Sequence, residues 1–410
     1  MELVHKRCAG LDVHKKGVVG CVRLADGTQV RREVRRFGTT TRDLLMLADW
    51  LSSHGVTHVL MEATGIYWRP VWNVLEGTFE LVLANASHVK AVPGRKSDVQ
   101  DAEWLAELLA HGLVRGSFVP PRDVQELREL TRTRKQLVGE MTQHTLRIQK
   151  VLETANIRLP SVLSDIVGAT GRAIIRALAQ GESDLQRLAG LAQGSLRDPA
   201  KQIELITAME GKLTSHHRFL LGFHLDIIEH LERQIEALNH RVETAAGPFT
   251  WAIDLLDPIP GISRVTAETV VAEIGTNMRR FPSVRHLLSW LGLCPRSDES
   301  AGKIRSRSIR KGNRWFKATF IQAAWAACRA KTSYYRSQYL RLKARRGGKK
   351  AIVAVAASMV TAIYYMLRDG VAFQDVGPHH LDTLNKARLT RRLIARLHAL
   401  GYEVKLQPSA

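Results

Sequence analysis

The segment Ala9-Gly10-Leu11-Asp12-Val13 sets one carboxylate inside an apolar run. Residues 6–24 around it read as two strands joined by a tight turn. A charge at Asp12 must be paired, must bind a metal, or must cost stability. Whatever this chain folds into has to bring that side chain a partner.

The elements that follow narrow the choice. "TQVRREVRRFG", ending at Gly38, alternates as a third strand, and "TTTRDLLMLADWLSSHG" reads as a helix with Thr as N-cap and Gly55 as C-cap. A β-branched strand, "VTHVLMEATG", a helix through "YWRPVWNVLEG" and a strand, "FELVLANA", come next. Three antiparallel strands, then strands alternating with helices, is the order of a ribonuclease H-like α/β domain, expected over residues 1–118.

"VPPRD" at 119–123 ends that domain. Beyond it Leu127, Leu130, Leu137, Met141, Ile148 and Leu152 form the stripe of one long helix ending near Asn156. A second long helix is expected from about 200 to 244, where Ile228, Leu231, Ile235, Leu238 and Val242 alternate steps of 3 and 4 as in a coiled-coil seam. That seam suits an intramolecular hairpin or an oligomer contact equally. The region 119–246 is therefore expected to be a helical coiled-coil middle. A mostly helical domain follows over 247–370, and a basic tail over 371–410, with a basic amphipathic helix and a strand-like end.

A chain of 410 residues exceeds one ordinary core. Sixty Lys and Arg against 39 Asp and Glu leave a net charge of +21 and a pI near 10.2. Such an excess points to a polyanion, with nucleic acid first and an anionic membrane second. The apolar stretch 351–367 is short and alanine-rich, and it reads as a buried helix rather than a membrane span. No apolar signal segment stands at the N-terminus, so a cytoplasmic, nucleoid-associated protein is expected. Cys8, Cys21, Cys294 and Cys328 form no CxxC pair. Cys8 and Cys21, with His5 and His14 nearby, allow a zinc site, but reduced core thiols are the favoured reading.

Glu62 closes the strand "HVLMEA", and "GRKSDVQDAEWLAELLAHG" at 94–112 carries Asp98 and Asp101 in the first turns of a helix that Ser97 can cap. Three residues apart, the two acids share a face. Alone, they suit a helix start. Together with Asp12 and Glu62 they can converge on one sheet edge, where four carboxylates repel unless a cation sits between them. Mg²⁺ takes such hard oxygen ligands, and two ions would stabilise both the attacking and leaving oxygens of a phosphodiester.

"GLDVHK", "MEATGIYW" and "GRKSDVQDAEWLA" resemble the motifs of the DEDD insertion-sequence transposases, the family one-ten group that includes the pilin-gene inversion recombinase and the bridge-RNA-guided recombinases. The resemblance implies a RuvC-like domain with Asp12, Glu62, Asp98 and Asp101 as its metal-binding tetrad. "LLDPIPGISRVTAETVVAEIG" at 255–275 reads as helix, turn and helix, in which the backbone at Gly261 can meet a DNA phosphate, or else as an ordinary turn between packed helices. Residues 281–327, with "LGLCP", "SAGK" and "KGN", are similar to the family's second transposase domain. There Ser300 aligns with the nucleophilic serine. From its sequence neighbours Ser300 reads as part of a flexible loop, with Ser297, Ser306 and Ser308 as competitors.

Lys303, Arg305, Arg307, Arg310 and Lys311 surround that loop, and Arg345 and Arg346 lie in the basic run 341–350. From Arg296 to Lys350 there are 17 Lys or Arg against two acids. Trp315, Trp325, Tyr334, Tyr335 and Tyr339 are interleaved, with Trp325 read as core. Cations hold phosphate and aromatic faces stack bases. The expectation is a transposase or site-specific recombinase that cuts and rejoins DNA through a phosphoserine intermediate. By resemblance it is guided by a noncoding RNA and works as a homo-oligomer, a dimer or tetramer. The rivals are a water-using junction resolvase or nuclease, and a non-catalytic nucleic-acid binder.

Overall fold

The computed structural model describes residues 3–407 apart from 28, 64, 86–88, 90–97, 115, 296–297, 301–302, 307, 310 and 385, and no side chains at 298–300 or 303–305. The chain divides into two compact units, Met1–Val119 and Pro120–Ala410.

In the first unit the alternating segments become β1 (Arg7–Val13), β2 (Val18–Asp26) and β3 (Gln29–Phe37), then α1 (Thr41–Ser53), β4 (His58–Glu62), α2 (Trp68–Leu75), β5 (Glu80–Ala84) and α3 (Asp98–Ala110). The sheet order is β3-β2-β1-β4-β5. β2 and β3 run antiparallel, and β1, β4 and β5 run parallel. The mixed sheet agrees with the expected ribonuclease H-like order. Thr40 caps α1 in a capping box with Asp43, and Gly55 follows the helix at φ +63°.

Strand alternation sorts the side chains onto two faces. Leu11, Val13, Val59 and Met61 pack with Leu47, Trp50, Leu51, Val71 and Leu75 of α1 and α2. Cys8 and Leu60 face Leu105 and Leu109 of α3, while Val19 and Cys21 face Ala102 and Ala106. Buried against that helix, the Cys8 and Cys21 thiols are pushed up to about 11 and about 12, so the thiolate a metal would need is disfavoured. His5 lies against His58 with the rings tilted by 35° and 3.9 Å between centroids, and His14 turns to Asp12. The zinc alternative does not assemble, and these cysteines are core thiols.

Among the described residues the second unit is helical, with one small hairpin. The long helix α4 (Arg122–Thr154) is followed by α5 (Ala169–Gln180), α6 (Pro199–Met209) and α7 (Ser215–Ala246). The continuous helix expected over 200–244 is broken at 210–214. Gly211 presses on the backbone of Ala155, where a Cβ would lie 2.4 Å from its oxygen, and Thr214 caps a new start at Ser215. α4 and α7 pack against each other within the unit. Of the seam residues, Ile228, Leu231 and Val242 are buried, and Ile235 and Leu238 are half-buried.

α8 (Thr250–Leu256), α9 (Arg264–Ile274), α10 (Val284–Leu291), β6 (Asp298–Ser300), β7 (Lys303–Ser306), α11 (Arg314–Ala327), α12 (Tyr334–Arg346), α13 (Gly348–Asp369) and α14 (Lys386–Ala399) are the longer helices and the hairpin strands that follow, with short helical turns between some of them. Among the described residues α13 is the one helix long and apolar enough to cross a membrane. It buries Val355, Met359, Val360 and Ile363 against neighbours that include α11 and α12, as expected of a core helix. α14 is the basic helix foreseen in the tail, but residues 402–407 form no strand.

Candidate active site

Asp12 sits next to the C-terminal end of β1 with its side chain about 10% exposed. By alternation it shares the α3 face with Cys8 and Gly10. β1 and β4 run in parallel register with Leu11 opposite Met61, so Asp12 and Glu62 stand side by side one step further on. Both lie at the carboxyl edge of the parallel strands, where open α/β sheets place their ligands. Glu62 is half-buried.

α3 brings the remaining acids. Asp98 and Asp101 occupy its first turns, one helical step from Ala102 and Leu105, which pack on the sheet. The approach is close because Gly10 has no side chain. A Cβ there would lie 2.3 Å from the Ala102 oxygen and 2.4 Å from the Ala106 nitrogen. The far end of α3 is tied down by Glu107. Its carboxylate receives Arg23 Nε at 2.9 Å, Arg32 Nη2 at 2.8 Å and the His111 ring nitrogen at 3.0 Å. The hydrogen bond from Arg23 is the main reason its carboxyl falls to about 2. Ser97, the expected N-cap, lies outside the described residues.

His14 completes the cluster. It stands just past β1, its backbone N–H donating to the Gly17 carbonyl at 2.9 Å. Its Nε2 lies 2.8 Å from Asp12 Oδ2 and 3.6 Å from Asp98 Oδ1. One ligand atom from each of Asp12, His14 and Asp98 falls within 4.8 Å of the others. Burial raises the pKa of Asp12, and the charges of Asp101 and Asp98 raise it further, while His14 works against them. A buried carboxylate pressed by the charge of two others, with ligand atoms of His14 and Asp98 close beside it, is a donor set that fits a divalent cation.

Ser300 ends β6 and pairs with Lys303 of β7, so it belongs to a β-hairpin rather than the bare loop expected. A further bridge pairs Pro295 with Ile309. The side chains of Ser300, Lys303 and Arg305 are not described, and Arg307, Arg310 and Ser297 lie outside the described residues. Ser306 and Ser308 bond each other, Oγ to Oγ, at 2.8 Å. Lys311 is exposed, as are Arg345 and Arg346 at the end of α12. Gly261 turns at φ +83°, and a Cβ there would lie 2.3 Å from the Ala323 oxygen, so packing on α11 already demands glycine at this turn. Trp325, read as core, is 42% exposed, with its edge on Tyr339.

Sequence reasoning missed a buried network around Glu273. Glu273, with no exposed surface, accepts Arg132 Nε at 2.7 Å, Arg132 Nη2 at 2.8 Å and Asn313 Nδ2 at 2.5 Å. Arg128 donates to the Ala272 and Glu273 carbonyls at 2.9 and 2.7 Å. Asn313 in turn caps α11, its Oδ1 accepting from Trp315 and Phe316. Arg128 and Arg132 are the only hint the sequence held, and they lie some 140 residues away.

Two family models match the chain. A DEDD transposase model of the IS110 group spans residues 9–157, and a transposase model of the IS116/IS110/IS902 family spans 253–340. Together they cover more than half of it. The chain belongs to the IS110 family of DEDD transposases. It is 28% identical over 316 residues to a probable family 20 transposase of Pseudomonas aeruginosa, a match covering 75% of this chain and 83% of that relative. It is 30% identical over 150 residues to an uncharacterised 43.6 kDa protein of insertion element IS110 from Streptomyces coelicolor, covering 36% and 35% of the two chains. A transposase of insertion element IS1328 from Yersinia enterocolitica is 27% identical over 238 residues, covering 57% of this chain and 59% of that one. This transposase thus spans most of the first relative and about a third and three-fifths of the others.

Proposed function

We propose that this transposase cuts and rejoins DNA strands using Asp12, Glu62, Asp98 and Asp101 to hold divalent metal, Mg²⁺ in the cell and two ions per site, and Ser300 as the nucleophile. The observation that carries the reading is the meeting of Asp12 with Asp98 and the charge of Asp101 at the carboxyl edge of β1. When bound, the metal acts as a Lewis acid on the phosphoryl oxygens and stabilises the charge that develops on them.

The chain's own groups do the rest. Ser300 Oγ attacks the phosphorus, forming a P–Oγ bond as the bond to one deoxyribose oxygen breaks. The hydroxyl proton ends on that leaving oxygen. One DNA end becomes a serine phosphodiester and the other a free hydroxyl. In the second step a hydroxyl from another strand attacks the same phosphorus, the P–Oγ bond breaks, and the proton of that hydroxyl ends on Ser300 Oγ. One phosphodiester replaces another, so no ATP is needed. Lys303, Arg305, Arg307, Arg310 and Lys311 supply positive charge around the scissile phosphate. Arg345 and Arg346, with the Gly261 turn, hold the flanking backbone. A noncoding guide RNA that pairs with donor and target DNA would leave the protein to read shape and charge. Two or four copies would then align the strands being exchanged.

The test is a denaturing quench of protein incubated with Mg²⁺, the element's RNA and its DNA ends. The reading expects DNA attached covalently to protein in the wild type and none in Ser300→Ala or Asp12→Asn. Cleavage that persists in Ser300→Ala assigns the chemistry to water, as in a resolvase. An absence of metal-dependent cleavage leaves a binding protein.

A further inference from the structure

We propose that His14 is itself a metal ligand, its Nε2 taking one coordination position between the carboxylates of Asp12 and Asp98, so that the site binds Mn²⁺ more tightly than its carboxylates alone would, whichever ion fills it in the cell. The inference rests on the carboxylate reading above and adds a donor to it.

The geometry argues for it first. Around an octahedral ion with bonds of about 2.1 Å, neighbouring ligand atoms lie about 3.0 Å apart. His14 Nε2 stands 2.8 Å from one carboxylate oxygen and 3.6 Å from another, on either side of that spacing. The ring is not there by chance of a loose surface. The turn that closes His14 N–H onto Gly17 fixes its backbone, and two-residue strand periodicity puts it on the face of Asp12. Its side chain is about half exposed, so packing does not demand it.

The chemistry supplies the selectivity. Mg²⁺ takes oxygen donors and keeps several waters. A set that includes imidazole shifts preference towards first-row transition ions, of which Mn²⁺ also tolerates several carboxylates. The rival account has His14 only as a hydrogen-bond donor that steadies Asp12, and it predicts no bond from nitrogen to metal.

Electron spin-echo envelope modulation of Mn²⁺ bound to the full chain separates the two. The wild type should show ¹⁴N modulation from a coordinated imidazole, and His14→Ala should lose it. In calorimetric titrations the same variant should lose at least about tenfold in Mn²⁺ affinity, the low end of what losing even an outer partner of a metal site costs. Its Mg²⁺ affinity should change several-fold less. Asp12→Asn is the control for the site itself. If it releases Mn²⁺ but the wild-type spectrum carries no nitrogen modulation, or if the modulation survives in His14→Ala, the proposal is overturned and the carboxylate reading stands. If Mn²⁺ does not bind, or binds the same in Asp12→Asn, the carboxylate reading falls and takes the proposal with it.

Discussion

Gly10→Ala is the most searching small change this site allows. The new methyl group would lie 2.3 Å from the Ala102 oxygen, 2.4 Å from the Ala106 nitrogen and 2.7 Å from Leu105 Cβ. Two of those are helix backbone atoms, which cannot swing aside as a side chain tip can. Ordinary contact begins near 3.4 Å, so α3 must withdraw from β1 by roughly 1 Å. Overpacking of this kind costs about 1–3 kcal/mol, and fixed backbone argues for the upper end. For a unit of this size that is a fall in Tm of about 10 °C. The same movement carries Asp98 and Asp101 away from Asp12, so metal affinity should fall with stability. Differential scanning calorimetry with and without Mn²⁺, beside an Mn²⁺ titration, reads both. A variant with wild-type Tm and wild-type metal affinity would refute the claim that Gly10 sets the distance between helix and strand.

Other substitutions test separate parts of the account. Asp12→Asn removes a carboxylate that burial and two acidic neighbours disfavour. Without metal its Tm should match or exceed the wild type's, whereas saturating Mg²⁺ should raise the wild type alone, by about 2.7 kcal/mol at a hundred times Kd. Glu273→Ala leaves Arg132 and Asn313 without their buried acceptor and should cost about 3–5 kcal/mol in urea denaturation. Glu107 has its carboxyl lowered from 4.5 to about 2, so the stability it contributes is full above pH 4.5 and lost as pH falls towards 2. The difference in urea midpoint between wild type and Glu107→Gln should therefore shrink from pH 7 to pH 3. Gly139 lies mid-helix in α4 with no heavy atom near its missing Cβ, and Gly139→Ala should raise stability by about 0.5–1 kcal/mol.

What could be read from the sequence was what repeats locally. Apolar runs announced β1 and β2, alternation announced β3 and β-branched residues announced β4, and an acid amid an apolar run marked Asp12 as a residue with a task. The pair Asp98 and Asp101 was visible from helical spacing. His14 was noticed only as a neighbour of a possible zinc site at Cys8 and Cys21, and its i, i+2 relation to Asp12 held the clue to its place here. The break before α7 was written in Gly211 and Thr214, yet the apolar stripe on either side hid it. Glu273 drew no notice within the helix–turn–helix read over 255–275. Its meaning comes from arginines far off in the chain, which no window of sequence brings together. Trp325 failed for a related reason, since an alanine-rich helix gives little sign of which face it buries.

The central claim is that acids from β1, β4 and α3 gather at one metal centre. Crystals grown or soaked with Mn²⁺ and measured at its absorption edge would locate the ion without reference to activity. The account predicts an anomalous peak at the carboxyl edge of β1, within about 2.1 Å of carboxylate oxygens of Asp12 and Asp98 and in contact with at least one of Glu62 and Asp101. No peak there, or one held by other residues while Asp12 keeps only its hydrogen bond to His14, would contradict it.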